Sequence, residues 1–548
     1  MSASYTSSKY VAWFLGLGFL IAFIWAAPFR DLYGIEARNA LLGKEMFQGG
    51  IRFIPFTMGR PYPDYPPLYF WSVALFYNLT GGVSTLAAIL PSALCAAGII
   101  VITFLMGSFR SFKTGAISAL VLGTFPEFWF KASKATIDMM LAFEVAVALF
   151  FLRKISCSKS GSVEKVKAVI GTSLAVLAAL LTKGPIGIVL IGAVWGCYLL
   201  ICKDFHGLFA FSFLYLLLGV GCVGIYFGLL WHEGGMALVK DVFASQVSGR
   251  FGGVPNKSFL YYEVYLLEST APWWLWVLAA TFGSKKNDSQ GSATSDKRSF
   301  SVIRLSVTWF IVVLVIFSIP SSRHGRYLLP AFPALALIVS FFIEKIVDRD
   351  CSKGIAAALT RAVGVFFALF IVASWALYFI VRMPGKASVL WLVVWSVVMI
   401  WLWVKKDKVI PVANGIFQRQ VVSMVAILSG VSLLVYPVAS QRESGKGFVE
   451  QVEAKVSAKA PIVLFRIKQD GDGVKYALYS NRLSRTLNFV SRVESLSRLR
   501  SPCLLVTYKK NIGVLFKNPN WRLTLVGEGL IHHKPVVGYI LEEAKNHE

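Results

Sequence analysis

The chain has 548 residues, of which 56% are hydrophobic and 14% aromatic, and it carries only 15% charged side chains. A soluble protein would carry roughly 25% charge, so the composition excludes a soluble globular enzyme and points to an integral membrane protein. The formal charge of +26 has two readings: Lys and Arg gathered in cytoplasmic loops, or basic residues left on the opposite face to meet anionic lipid.

In chain order, the first apolar run, 11–27, lacks a small-residue cleavage pattern and is followed by hundreds of hydrophobic residues, so it reads as a retained spanning helix. A long charged loop, 28–83, follows, and it holds Asp31, Glu36, Arg38, Arg60 and Asp64. Long loops in compact proteins are often functional. Residues 36–48 are predicted to form an amphipathic helix stopped by Gly49-Gly50, with Ala37, Ala40, Leu41 and Phe47 on an apolar side laid along the membrane. The run Arg60-Pro61-Tyr62-Pro63-Asp64-Tyr65-Pro66-Pro67 fixes an extended path with interfacial tyrosines. The apolar stretch 66–80 is too short to span and reads as juxtamembrane or re-entrant.

Further spans are expected near 84–107, 114–130, 138–152, 168–182, 184–202, 207–230, 262–283, 301–319, 329–346, 357–381, 387–404 and 420–438, about thirteen in all. Loops rich in Lys and Arg, around Arg110, Arg153, Lys285 and Lys405, fall on one side, which is then cytoplasmic. The opposite side holds the first loop, Asp138, Lys183, Arg250, Arg323, Arg326 and the tail after about 440. The expected fold is therefore an all-α polytopic membrane domain, 1–440, with juxtamembrane helices in its first outer loop, plus a small soluble α/β domain at 441–548. Strands are expected at 461–467 and 503–508, helices at 446–459 and 491–500. Cys503 is the lone cysteine of the tail, so no disulfide can form within it.

Carboxylates at a membrane boundary are functional candidates, but each also has a structural alternative. Asp138 at a helix start is favoured by the helix dipole, and Glu144, deeper in the same span, reads as a hydrogen-bonded structural carboxyl. Lys183, in Thr182-Lys183-Gly184-Pro185, could snorkel to the interface. The basic set Arg38, Arg60, Lys131, Lys134, Lys183, Arg250, Arg323 and Arg326 runs against the positive-inside bias, and a phosphate-bearing lipid headgroup gives it a purpose.

The run Asp31-Leu32-Tyr33-Gly34-Ile35-Glu36-Ala37-Arg38, with Gly59-Arg60-Pro61-Tyr62 and Tyr65-Pro66-Pro67-Leu68-Tyr69, resembles the GT-C membrane glycosyltransferases. The nearest groups are the ArnT-like aminoarabinose transferases of lipid A and the protein O-mannosyltransferase superfamily. Asp138-Met139-Met140-Leu141, Thr182-Lys183-Gly184 and Ser321-Ser322-Arg323-His324-Gly325-Arg326-Tyr327 agree in order and topology. The resemblance implies transfer of a sugar, with inversion, from a polyprenyl (undecaprenyl) phosphate carrier to lipid A, lipopolysaccharide or a related anionic acceptor at the periplasmic face of a bacterial inner membrane. It implies that Glu36, Asp31 and Asp138 are the candidate catalytic acids. Arg38, Lys183, Arg250 and Arg60 would hold the carrier phosphate, and Tyr62, Asp64, Tyr65, Arg326 and Tyr327 would border the carrier or sugar.

Two positions depart from the family: Ile35 stands where it has Asp before the Glu, and Asp64-Tyr65 where it has Glu-Lys. An already ionised phosphate acceptor would need less base assistance than a hydroxyl. No nucleotide-binding motif is present, and the partners implied are a lipid-linked sugar, membrane lipids and no nucleic acid, with the protein a monomer. No cofactor is required by the pattern; a divalent metal at Asp64, His232, Glu233 and His324 stays open. A protein acceptor is the runner-up. The competing class is a lipid or sugar transporter, which would place charges near the bilayer midplane and show repeated halves.

Overall fold

The computed structural model describes residues 2–158, 161–244, 257–258, 260–282, 297–348, 353–381, 386–404, 412–498, 501–516 and 521–543. The chain divides into two compact units, Met1–Trp25 with Ser92–Leu434, and Ala26–Pro91 with Val435–Glu548. The expected boundary near residue 440 thus acquires a second part: the loop after the first helix packs with the residues that follow Val435.

The first unit is helical. Among the described residues, eight helices are long and apolar enough to cross a bilayer, or nine if the bent pair Pro126–Ala132 and Ile137–Cys157 counts as one. Several of the thirteen expected spans are broken by proline. The run near 114–130 becomes Phe112–Gly123 and then Pro126–Ala132, with Pro126 in the first turn of the new helix, where its missing N–H costs nothing. A bend of 110° separates that short helix from Ile137–Cys157. The run near 262–283 becomes Tyr261–Ser269 and Trp274–Phe282 on either side of Pro272. Gly184, at φ 77°, ends Val163–Lys183 and lets Pro185–Ile201 fold straight back against it.

In the second unit, a helix forms at Ile35–Gly49, where the sequence places one. Its expected apolar side is packed on protein rather than left bare. Besides Ala37, Ala40 and Leu41, the residues Asn39, Leu42, Gly43, Lys44 and Met46 are buried, because the helix packs between Leu68–Leu79 and Val474–Tyr479. A helix covered on more than one side needs no membrane to hide its apolar surface. Gly43 allows the close approach, since a Cβ there would lie 2.3 Å from Val73. Leu68–Leu79 has 12 residues, roughly 18 Å of helix, short of the ~30 Å a span needs.

A two-residue ladder, β1 (Phe56–Thr57) with β2 (Arg60–Pro61), closes the turn at Met58-Gly59. The tail forms a five-stranded mixed sheet from β3 (Ile462–Phe465), β4 (Asn488–Val490), β5 (Cys503–Tyr508), β6 (Trp521–Ile531) and β7 (Lys534–Glu543), in the order β4-β3-β5-β7-β6. β3 is parallel to β4 and β5; β7 is antiparallel to β5 and β6. The expected strands at 461–467 and 503–508 become β3 and β5, and the expected helices shorten to Lys446–Glu453 and a 3-10 segment, Val493–Arg498. Val463, Phe465, Leu496, Cys503, Leu505, Leu515 and Leu541 form a core on one face.

Candidate functional site

In the first unit, three helix ends bring charged groups together. Asp138 lies in the first turn of Ile137–Cys157, Lys183 is the last residue of Val163–Lys183, and Arg326 belongs to the 3-10 segment Gly325–Ala331. The acid at an N-terminus and the base at a C-terminus each suit the dipole of their helix. Lys183 donates a hydrogen bond to Asp138, and Arg326 Nε lies 3.2 Å from the other carboxylate oxygen. Asp138 is 6% exposed and Lys183 2%. The snorkelling alternative for Lys183 is thereby set aside: its ammonium is buried and ion-paired, 4.4 Å from the centre of the Tyr327 ring. Arg326 also stacks over Tyr327 at 5.4 Å, and the His324 ring meets that tyrosine edge-on at 5.2 Å. Burial and the Arg326 charge hold His324 below the ordinary histidine value, so it is neutral at pH 7.

The loop that carries Arg326 is itself pinned. Tyr261 Oη accepts from Gly325 N at 3.1 Å, and Arg323 donates to the Ser258 and Ser318 carbonyls at 2.8 and 3.1 Å. A Cβ on Gly325 would fall 2.1 Å from the Tyr265 ring, so any larger residue here must push that ring aside. Glu144 is buried and accepts a 2.6 Å hydrogen bond from Thr182, which agrees with a structural carboxyl.

In the second unit the first-loop candidates are spread over several partners. Glu36 pairs with Arg30 at 2.9 Å, both side chains almost fully buried. Burial alone would lower the Arg30 pKa, but the Glu36 charge outweighs it and holds the guanidinium ionised. Asp31 accepts from Ser444 at 2.8 Å, lies 3.8 Å from Lys446, and its backbone N–H donates to Ser440 at 3.0 Å. Arg38 donates to the Asp470 carbonyl at 2.7 Å and lies over the Tyr62 ring at 6.0 Å. Burial raises the Tyr62 hydroxyl above its usual range, keeping it a neutral donor. Asp64 and Tyr65 are half-buried and Arg60 is exposed.

The structure therefore gathers Asp138, Lys183, Arg326 and Tyr327, and it brings Arg38 to Tyr62. Asp31 and Glu36 share Arg30, which donates to the Asp31 carbonyl at 3.2 Å and to the Glu36 carboxylate at 2.9 Å, while Arg60 is exposed. Arg250 lies outside the described residues. Among the described residues no three His, Cys, Asp or Glu side chains gather to hold a metal ion, so the set Asp64, His232, Glu233 and His324 does not form one. Several partners were not picked out from the sequence: Arg30, six positions before Glu36; Lys44; and Tyr479. Lys44 is buried, donates to the Ala477, Leu478 and Ser480 carbonyls at 3.0, 2.9 and 2.6 Å, and is lowered by burial to about 8. The Tyr479 hydroxyl both accepts from Leu32 N and donates to Leu32 O, at 2.7 and 2.9 Å. Only Arg30 had a signal, its charge beside a loop acid; the contacts of Lys44 and Tyr479 join residues more than 400 positions apart.

Comparison with known proteins gives three findings. Residues 64–231 match the family model described as dolichyl-phosphate-mannose-protein mannosyltransferase. Along nearly its whole length the chain superposes on ArnT from Cupriavidus metallidurans bound to undecaprenyl phosphate, with 20% identity, 96% of this chain and 97% of that one covered, and a TM-score of 0.77. The apo state of the same protein gives 19% identity and a TM-score of 0.75, covering 97% and 98% of the two chains. The chain has the ArnT-like GT-C fold. It is a multi-pass membrane protein. Two uncharacterised proteins of Aquifex aeolicus (strain VF5) are each 26% identical, over 57% and 61% of this chain, and the chain spans 67% and 62% of their lengths.

Proposed function

We propose that this protein is a polyprenyl-phosphate-sugar-dependent glycosyltransferase, and that Lys183 and Arg326 hold the carrier phosphate. The observation that carries the reading is the pair of cations converging on Asp138 at the mouths of three helices. An acceptor oxygen attacks the anomeric carbon as the carbon–oxygen bond to the carrier phosphate breaks, and the polyprenyl phosphate departs with the bonding electrons. Negative charge therefore grows on the leaving phosphate, where two fixed cations lower the barrier. Asp138 is the shared counter-ion that orients both cations. The neutral His324 beside them is available as an uncharged donor or acceptor for the sugar or phosphate. That a solved protein of this fold binds undecaprenyl phosphate supports the choice of carrier.

The acceptor we favour carries a phosphate, as lipid A, lipopolysaccharide and related envelope glycans do. The two first-loop acids that are candidates for the base are already engaged, Glu36 by Arg30 and Asp31 by Ser444 and Lys446. An ionised acceptor asks for little base catalysis. The positive-inside pattern supports placing the Ala26–Pro91 and Val435–Glu548 segments on the non-cytoplasmic face, which in a bacterial inner membrane is the periplasmic one. The family model at 64–231 supports a second reading, in which a protein hydroxyl is the acceptor; this would call for Glu36 or Asp31 as base.

Purified protein incubated with labelled polyprenyl-phosphate sugars, offered lipid A in one arm and Ser/Thr peptides in the other, tests these readings together. Sugar appearing on lipid A, and lost in Lys183→Met, supports the first. Sugar on peptide, lost in Glu36→Gln, selects the second. Carrier movement across a vesicle without any transfer would return the protein to the transporter class.

A further inference from the structure

The mixed sheet of the tail reverses its strand order at β3. The chain leaves β3 for β4 on one side and then returns to place β5 on the other. In open sheets, ligands sit in the crevice outside the carboxyl ends of the parallel strands at such a reversal. Here the segment after β3 supplies Asp472 and Lys475, β5 ends in Tyr508, and the β6–β7 turn brings His532 and Lys534 alongside.

These side chains meet around Asp472. Tyr508 Oη donates to Oδ2 at 2.5 Å and Lys534 Nζ at 2.8 Å; His532 Nδ1 and Lys475 Nζ lie 3.3 and 3.9 Å from Oδ1. Burial alone would raise the Asp472 carboxyl, but the Lys534 and Tyr508 hydrogen bonds and the nearby ammonium charges hold it low. Lys510 adds a third ammonium, 5.9 Å over the Tyr508 ring, while Lys509 is taken by Glu528 at 2.9 Å; Glu443, 3.3 Å from His533, is a second carboxylate whose charge acts on Lys475.

Lys475 is the unusual member. It is 5% exposed, and among the described residues its ammonium has no hydrogen-bond acceptor. A buried ammonium with three unmet donors costs free energy. Cations in excess of carboxylate, one of them buried with unused donors, describe a site built for an anion with several acceptor oxygens.

We propose that this crevice of the tail domain is a phosphate-binding site, in which Lys475 and Lys534 ligate a phosphomonoester and Asp472 is the counter-ion that orders them. The assignment does not depend on the transferase reading. The phosphate is borne either by a lipid headgroup or by a free anion, and the chemistry of the crevice serves both.

The full-length protein in phosphatidylcholine nanodiscs is titrated with inorganic phosphate and, separately, with dihexanoyl phosphatidic acid, while phosphorus-31 line widths report binding; dihexanoyl phosphatidylcholine is the control. Broadening by phosphate alone supports a free anion, and broadening by phosphatidic acid alone or by both supports a headgroup. Lys475→Met and Lys534→Gln should each weaken binding by about tenfold or more. Lys534 is half exposed, so Lys534→Gln decides the matter even where Lys475→Met fails to fold. Lys167→Met, at an exposed side chain of the first unit, should keep the signal. No broadening with the wild type, or equal affinity in Lys534→Gln and wild type, would overturn the proposal.

Discussion

The two units solve the same electrostatic problem differently. In the first, one carboxylate, Asp138, is shared by two cations that come from other elements, Lys183 and Arg326. In the second, Glu36 is matched to Arg30 within one short stretch of chain, and the pair is nearly closed to solvent. That pair is local and closed: Arg30 also donates to the Asp31 carbonyl at 3.2 Å and lies over the Tyr436 ring at 5.7 Å, so the cation is shared among groups of its own neighbourhood. The Asp138 cluster carries more cation than carboxylate, with Arg326 20% exposed at its side chain, and this is the arrangement we propose meets a further anion. The contrast separates a candidate for chemistry from a candidate for architecture, although both acids look alike as boundary residues in the sequence.

Several experiments can break or sharpen that contrast. The largest effect is expected in Asp138→Asn, which leaves Lys183 and Arg326 without their counter-ion. Sugar transfer should fall at least about a hundredfold, since loss of a preorganised charge contact costs roughly 3 kcal/mol or more of barrier. Transfer at the wild-type rate would move the chemistry elsewhere. Glu36→Gln should act on stability instead: it strands a buried guanidinium, which costs about 3–5 kcal/mol. Chemical denaturation of the purified protein reads that loss, and an unchanged midpoint alongside lost transfer would reverse the roles assigned to the two acids.

Lys44 gives a pH test confined to the second unit. Its folded value, lowered from 10.5 to about 8, means that the unfolded chain binds the proton more tightly. Between those two pH values the unfolded state holds more protons, so stability rises with pH. The wild type should therefore gain up to about 3 kcal/mol relative to Lys44→Met between pH 8 and 10.5. A constant difference across that window would show that the three carbonyls keep the ammonium charged after all. Gly325→Ala should cost about 1–3 kcal/mol by overpacking against Tyr265, and should lower transfer by displacing Arg326. Arg60→Ala, at an exposed side chain, should change stability by less than about 0.5 kcal/mol; a loss of transfer with stability unchanged would restore Arg60 to the phosphate clamp.

Much of the helical plan was legible because long apolar runs admit few alternatives once they exceed the bilayer thickness. The breaks at Pro126 and Pro272 were less legible, since a hydrophobic run hides a kink that only proline marks. The β6–β7 hairpin was missed altogether. Its turn residues, His532 and His533, both have positive φ, 53° and 59°, where Asn-Gly would have announced the turn.

Local sequence determined the helix ends that carry Asp138 and Lys183, because a dipole, a glycine stop and a following proline all act within a few residues. It also made Asp138, Lys183, Arg326 and Tyr327 candidates individually. Which carboxylate faces two cations and which faces one was decided only by tertiary structure. So were the anchoring of the first loop by Lys44 and Tyr479, and the side-chain cluster at Asp472. These contacts join segments hundreds of residues apart or strands whose order reverses, and no local periodicity reports a pairing made in space.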